Sequence, residues 1–242
     1  EHRPLRAHAG FGICLREQEK KRRRKGMRKV TITIGREYGS GGHEVGEKLA
    51  ERLGFTFLDR IILNEISRKS GISVEDLMNH TETKSSSFRD TLIPYDFESE
   101  NLNEKLFDMQ ADFILHKAME ESCVVVGRCA DVILAYQDNV VNVFIYANME
   151  DKVRRIKRLY HLGDRQKAVK MIRKTEKIRR NYYQYYTDEV WGDKRNKALM
   201  INTSQTGVDG AVELIIAYLK LKGYLDEDAG EKQEENGGQQ EL

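Results

Sequence analysis

Four groups of residues in this 242-residue sequence have the types and spacing to handle phosphate. The first is the glycine-rich stretch GREYGSGGHEVG, Gly35–Gly46. A strand, a glycine turn and a helix start aim successive backbone N–H groups at an anion. Gly39, Gly41 and Gly42 let the main chain approach it closely. The phosphate-loop pattern GxxxxGK[ST] is met only in part. With Gly41 as the second glycine, Arg36 holds the first-glycine position, Gly42 the lysine position and His43 the hydroxyl position. The stretch therefore reads as a degenerate phosphate loop or as a plain tight turn. As a loop it would hold donor phosphates on Arg36, Gly39, Ser40, Gly41, Gly42, His43 and Glu44. The second group is Gly127-Arg128, which closes the apolar run Ser122–Val126. Ligands of open α/β sheets bind at the carboxyl ends of strands, and an arginine there grips phosphate with a planar fork, although a surface ion pair is the plainer alternative. The third is a basic stretch, residues 152–180, with thirteen Lys/Arg against two acids, Asp164 and Glu176. A solvated helix pair normally mixes signs, so this composition calls for a polyanion; Arg154, Arg155, Arg158, Arg173 and Arg179 are candidates. The fourth is Asp59-Arg60, where Asp59 either accepts a hydrogen bond from a sugar or base or caps the next helix. Cys129 has no evident base and reads as a small filler.

These residues need elements to position them. Lys29–Ile34 alternates and is β-branched, a strand. His43–Leu53 has helical spacing and stops at Gly54. Phe55–Leu58 is a short strand, Asp59–Ser70 a helix stopped by Gly71, and Ser73 with Asp76 has the form of a capping box. Residues 82–100 are polar and irregular, a stretch that is either disordered or a binding flap. Asn101–Glu121 is a long helix. Ser122–Val126 and Asn139–Ala147 are nearly all apolar, as strands inside a parallel sheet are. Asn148–His161 and Asp164–Asp188 are helical, Ala198–Asn202 is a last strand and Val208–Lys222 a last helix. Five strands alternating with helices predict an α/β fold with a five-stranded parallel sheet.

Composition bounds the rest. Hydrophobic residues make up 39% and charged residues 33% of the chain, with Pro 2 and Cys 3. No apolar run is long enough for a transmembrane helix, and three cysteines without a CxxC suit a reduced, cytoplasmic compartment. Residues 1–29 carry eleven Lys/Arg against three acids, and residues 225–242 carry seven acids against one Lys. Such blocks predict a basic disordered extension over 1–26 and an acidic disordered tail over 225–242, around a domain spanning 27–224. The basic run Lys20–Lys25 is either a nucleic-acid or membrane patch or a solvated extension. Tyr182, Tyr183, Tyr185, Tyr186 and Trp191 could stack on bases, but Tyr182, Tyr183 and Tyr186 also have the spacing of a packed helix face.

GREYGSGGHEVGEKLAERLG resembles the variant phosphate loop of the cytidylate kinase-like proteins, a branch of the P-loop nucleoside monophosphate kinases. FTFLDRIILNEISRKSGIS, CVVVGRCADVIL, NVFIYANMEDKVRRIKRL, IRRNYYQYYTDEVWGD and LMINTS resemble later segments of that branch in the same order, covering about residues 27–223. The resemblance implies a P-loop fold with a helical lid at about 152–192, and ATP-dependent phosphoryl transfer to a nucleoside monophosphate, CMP or dCMP first. It implies catalytic roles for Arg128, Arg155 and Arg179. Arg179 matches the arginine of the lid helix's DxxR, with Glu176 where Asp is usual. It implies acceptor binding by Asp59, Arg60, Gly127, Arg128 and Asp131, although acids usual beside the Gly-Arg pair are here Val126 and Cys129. ATP and Mg²⁺ are the implied cofactors, with Ser40 as the hydroxyl nearest a metal-ligand position. Nucleotides are the expected partners, with no membrane and no nucleic acid. A catalytically weak nucleotide-binding protein, or a kinase of another small molecule, is the alternative.

Overall fold

The computed structural model describes residues 29–75, 77, 97–227 and 229. The capping-box Asp76, most of the 82–100 stretch, the 1–26 extension and most of the acidic tail lie outside them. Five strands form one all-parallel sheet: β1 Thr31–Arg36, β2 Thr56–Leu58, β3 Cys123–Val126, β4 Val140–Tyr146 and β5 Leu199–Asn202, ordered β2-β3-β1-β4-β5. The helices are α1 Gly42–Leu53, α2 Arg60–Ser70, α3 Phe97–Glu120, α4 Ala130–Ile133, α5 Met149–Leu159, α6 Arg165–Thr187 and α7 Thr203–Leu221. Among the described residues no helix is long and apolar enough to cross a membrane.

Alternation along the strands sorts the layers. Ile32, Ile34, Val124, Val126, Val143 and Ile145 bury one face against Val45 and Leu49 of α1 and Val212, Ile215 and Leu219 of α7. Each such side chain, at or near zero exposure, contributes about 1.5–3 kcal/mol. On the other face Cys123 and Val125 pack with Leu58, Ile62, Ile114 and Leu134 from β2, α2, α3 and the end of α4. That face changes character in the centre. There β1 and β4 present Thr31, Thr33, Asn142 and Phe144, with Thr33 Oγ1 2.8 Å from Asn142 Oδ1. A parallel sheet covered on both sides is ordinarily apolar on both; the polar patch lies under α6 and floors a cavity.

Three boundaries differ from the sequence reading. Helix α3 begins at Phe97, four residues before Asn101. Helix α7 begins at Thr203, with non-helical backbone at Gly207 (φ 67, ψ −179) separating its first turn from the periodic part. The acidic tail does not start at 225: Leu225 is buried with the first core cluster, and Tyr224 and Ala229 pack against it.

Candidate active site

The site is built where β1 and β3 end side by side. Ile34 is level with Val126, so the loop after β1 and the turn after β3 leave adjacent strand ends. The β1 loop is fastened from behind. Glu37 N–H donates to Ile145 O at 2.9 Å. Thr203 Oγ1, at the start of α7, donates to Ser40 O at 2.7 Å and Tyr146 O at 3.1 Å. Gly39 and Gly41 take φ values of 84 and 82, which L side chains rarely adopt. Gly41 is the N-cap of α1 and provides no side-chain acceptor, so the first-turn N–H groups lack intrahelical partners and face outward. That end of the helix carries a partial positive charge.

Cations surround the loop from two helices. Arg155 of α5 binds Glu44 in the first turn of α1 at 2.6 Å, and its Nη2 lies against Gly41, 2.9 Å from where a Cβ would be. Lys152 of α5, 4% exposed, donates to Glu37 Oε2 at 2.9 Å and to Glu176 Oε1 of α6 at 2.7 Å. Burial works against that charge, but the two carboxylates outweigh it and raise the ammonium pKa. Arg179 of α6 donates to the backbone oxygen of Arg36 at 3.0 Å and lies over the Tyr38 ring, 5.3 Å from its centroid. Tyr38 in turn donates to Tyr160 Oη at 2.9 Å. Helix α6 is thus docked onto the loop.

The turn after β3 is strained. Gly127, Arg128 and Cys129 are all left-handed, at φ 73, 61 and 54, at about 1–2 kcal/mol for each non-glycine residue. Gln110 of α3, 2% exposed, steadies it by donating to Arg128 O at 3.2 Å. Cys129 is buried, and burial pushes its thiol far above the usual range; it is a filler and not a nucleophile.

Between this turn, the end of β1 and α6 lies a cavity of about 340 Å³. Arg36, Gly127, Arg128, Asp131 and Arg179 all line it, with Thr33, Phe144, Tyr182, Tyr183, Trp191 and Lys197. Asp131 is already committed: its Oδ2 accepts from Lys197 Nζ at 2.7 Å and Tyr183 Oη at 2.9 Å. Burial, first, and the neighbouring Asp131 charge push the Tyr183 phenol far up. Tyr182 is pushed up to about 12 by burial. Tyr186 stacks on Phe107 at 4.1 Å, so most of the tyrosine run is a packed helix face. Tyr185 remains 56% exposed.

Asp59 does not cap α2 with its side chain. Its Oδ2 pairs with His43 Nε2 at 2.9 Å. That hydrogen bond raises the His43 pKa against the effect of its partial burial. Burial pushes Asp59 up, but the His43 bond and the Arg36 and Arg128 charges outweigh it and leave the carboxyl below its ordinary range. Arg60 is the first residue of α2.

Two expected roles meet a different geometry. Arg36 holds its stem against the loop at Gly42 and sends its guanidinium elsewhere. Its guanidinium crosses Gly127, with Nη1 1.8 Å from where a Cβ would stand, and faces the cavity. Ser40 does not fit a metal ligand: it is 1% exposed and its hydroxyl donates to Glu37 O at 2.9 Å. Among the described residues no group of three or more His, Cys, Asp or Glu could hold a metal. Lys197 and Gln110 are site residues outside the marked stretches, and Lys152 and Tyr38 lie inside them without being among the candidates.

A family model for the cytidylate kinase-like family matches residues 31–205. A crystal structure of an uncharacterized protein from Eubacterium ventriosum is 29% identical, with a TM-score of 0.62, covering 79% of this chain and 99% of that one. Shikimate kinase from Acinetobacter baumannii in complex with shikimate is 18% identical (TM-score 0.47; 82% and 97% covered). A gluconokinase from Sinorhizobium meliloti is 14% identical (TM-score 0.46; 81% and 99% covered). Among curated proteins no relative matches the chain.

Proposed function

From a chain that belongs to the cytidylate kinase-like family, we propose an enzyme that transfers the γ-phosphoryl group of ATP to a nucleoside monophosphate, CMP or dCMP first among them. The observation that carries this reading is the convergence of Arg36, Arg128 and Arg179 on one cavity beside the glycine loop and the amino end of α1. A loop of outward N–H groups next to a cationic pocket suits two phosphate-bearing ligands lying end to end.

In this reading the loop N–H groups and Arg155 hold the donor phosphates, and the cavity holds the acceptor phosphate. An acceptor oxygen attacks the γ-phosphorus in line, the bond to the β-bridging oxygen breaks, and ADP leaves with that electron pair. A phosphate monoester is largely ionised at neutral pH, so no general base is required. The side chains neutralise charge on the transferred group and exclude water, which is the main protein contribution in phosphoryl transfer. Magnesium enters as part of the substrate Mg·ATP, since Ser40 is turned inward; no step is assigned to a metal held by the protein.

The test is ADP release from Mg·ATP by the full chain with CMP, dCMP, UMP, AMP or GMP, against a control without acceptor. Release that depends on CMP or dCMP supports the proposal. A rate that no monophosphate raises overturns it. A weak nucleotide-binding protein is the second reading, favoured by one observation: the loop carries Gly42 where the lysine of the pattern belongs. It predicts ATP binding with no acceptor-dependent release.

A further inference from the structure

We propose that Arg36 is an anion-binding residue of the acceptor pocket: with Arg128 and Arg179 it grips the phosphate dianion of the acceptor, and the loop has given up the lysine position to make room for it. The identity of the anion as an acceptor phosphate rests on the function proposed above.

Four observations carry the inference independently of the phosphate-loop pattern. First, the Arg36 guanidinium lies over Gly127 and lines the cavity. Second, its side chain makes no hydrogen bond with any described residue, although it is partly buried; the one hydrogen bond of Arg36 outside its strand is at its backbone oxygen. Guanidinium groups taken out of water are ordinarily paired. Third, its charged neighbours are two further cations and one acid. Burial, then Arg179, lowers its pKa well below the ordinary value, and Arg128 adds to this, while Asp59 opposes. Asp59 is itself bound to His43. Arg36 itself thus faces two cations and one carboxylate that is already bound to His43, which leaves its own charge for a ligand to neutralise. Fourth, the space is reserved. A Cβ at Gly42 would lie 2.4 Å from Arg36 Cβ, and a Cβ at Gly127 1.8 Å from its Nη1. Arg36 and any side chain at position 42, lysine included, exclude each other.

A phosphate dianion matches this site. It presents three acceptor oxygens to planar forks that have donors and no acceptors. A neutral sugar hydroxyl would leave the Arg36 charge unneutralised.

The experiment compares the full chain with its Arg36→Met variant, which keeps the aliphatic stem and removes the charge. The probes are inorganic phosphate, CMP and ATP, each titrated alone by calorimetry and by the emission of Trp191, the single tryptophan, which lines the cavity. Arg36→Met is expected to weaken phosphate and CMP binding at least tenfold and to leave ATP affinity within about threefold. Without ligand its melting temperature is expected to stay level or rise, because a repelled buried cation is gone; a purely structural arginine would lower it. Unchanged phosphate and CMP affinity, or a loss confined to ATP, overturns the inference. Phosphate and CMP binding do not depend on turnover, so an absence of ADP release in the wild type defeats the proposed activity and leaves this test decisive for Arg36.

Discussion

Gly42→Ala is a small change with an unusual sign. In the first turn of a helix, glycine to alanine ordinarily helps, by up to about 1 kcal/mol. Here the added methyl would stand 2.4 Å from Arg36 Cβ, 3.0 Å from its Cγ and 3.2 Å from Ile145 Cβ. Carbon atoms in contact sit at about 3.5–4.0 Å, so the end of β1 and the start of α1 must part by roughly 1.1–1.6 Å. Both are fastened, β1 between β3 and β4 and the loop by Thr203. Overpacking costs about 1–3 kcal/mol; a 2.4 Å contact between two fastened elements belongs in the upper half, about 2–3 kcal/mol, which leaves a net loss of about 1–2 kcal/mol after a propensity gain of about 1 kcal/mol. For a domain of this size that is a fall of about 2–8 °C in melting temperature. Arg36→Gly removes the two closest atoms, so the double variant should recover most of the loss, with a coupling of about 1 kcal/mol or more in a urea-unfolding cycle. A Gly42→Ala protein as stable as wild type, or strictly additive effects, would refute the claim that Arg36 occupies the lysine's space.

Lys152→Met leaves Glu37 and Glu176 facing each other without their cation and should cost about 2–4 kcal/mol, read as a calorimetric melting temperature at pH 7. Because the Lys152 pKa is raised, its contribution is complete below about pH 10.4 and fades only as pH climbs through the raised folded value; an unchanged melting temperature at pH 7 contradicts the buried bridge. Asp59→Asn removes the hydrogen bond that raises the His43 pKa, so the imidazole resonances should titrate at lower pH by NMR. The His43 pKa is raised and the Asp59 pKa depressed, which confines the full contribution of this pair to about pH 4–6.5; it is lost as pH rises through the folded His43 value or falls through the folded Asp59 value. Arg128→Ala and Arg179→Ala should each lower acceptor-dependent turnover by about 10²–10³ while the proteins remain folded by circular dichroism; full turnover in both removes these residues from the site.

The sheet, its five strands and the phosphate-type loop are legible because each depends on local pattern: β-branched alternation in β1, continuous apolar runs in β3 and β4, and glycines at the turn. What sequence hides is lateral order. Position in the loop pattern puts Arg36 with the donor phosphates. In the proposed reading strand order puts it with the acceptor, because β3 pairs with β1 although the paired residues, such as Ile34 and Val126, are far apart in sequence. Lys197 left no signal, and Lys152 stands out only as one of thirteen cations, for the same reason, since their carboxylate partners are 115, 24 and 66 residues away. Gln110 and the polar face of β1 were detectable. A buried glutamine interrupts an otherwise apolar helix stripe, and Thr31 and Thr33 put hydroxyls on a face that should have been apolar in a fully covered sheet. Of these, Thr33 floors the cavity under α6.

The substitution at the loop then has a physical logic. A lysine on the first turn of α1 delivers charge to the donor phosphates alone, on a flexible stem. An arginine on β1 delivers charge across the strand gap, to the ligand held by the neighbouring strand. The two residues contend for one volume at the junction of β1 and α1, so the chain can have one or the other. Charge at the loop itself is restored from outside, by Arg155 against Gly41 and by the amino end of α1. Since Arg155 comes from α5, and Lys152 on the same helix ties the loop to α6, the proposed donor charge depends on how α5 and α6 pack, whereas the proposed acceptor charge is fixed into the sheet. A ligand that displaces α6 would therefore disturb the donor half through Lys152 while leaving Arg36 and Arg128 in place.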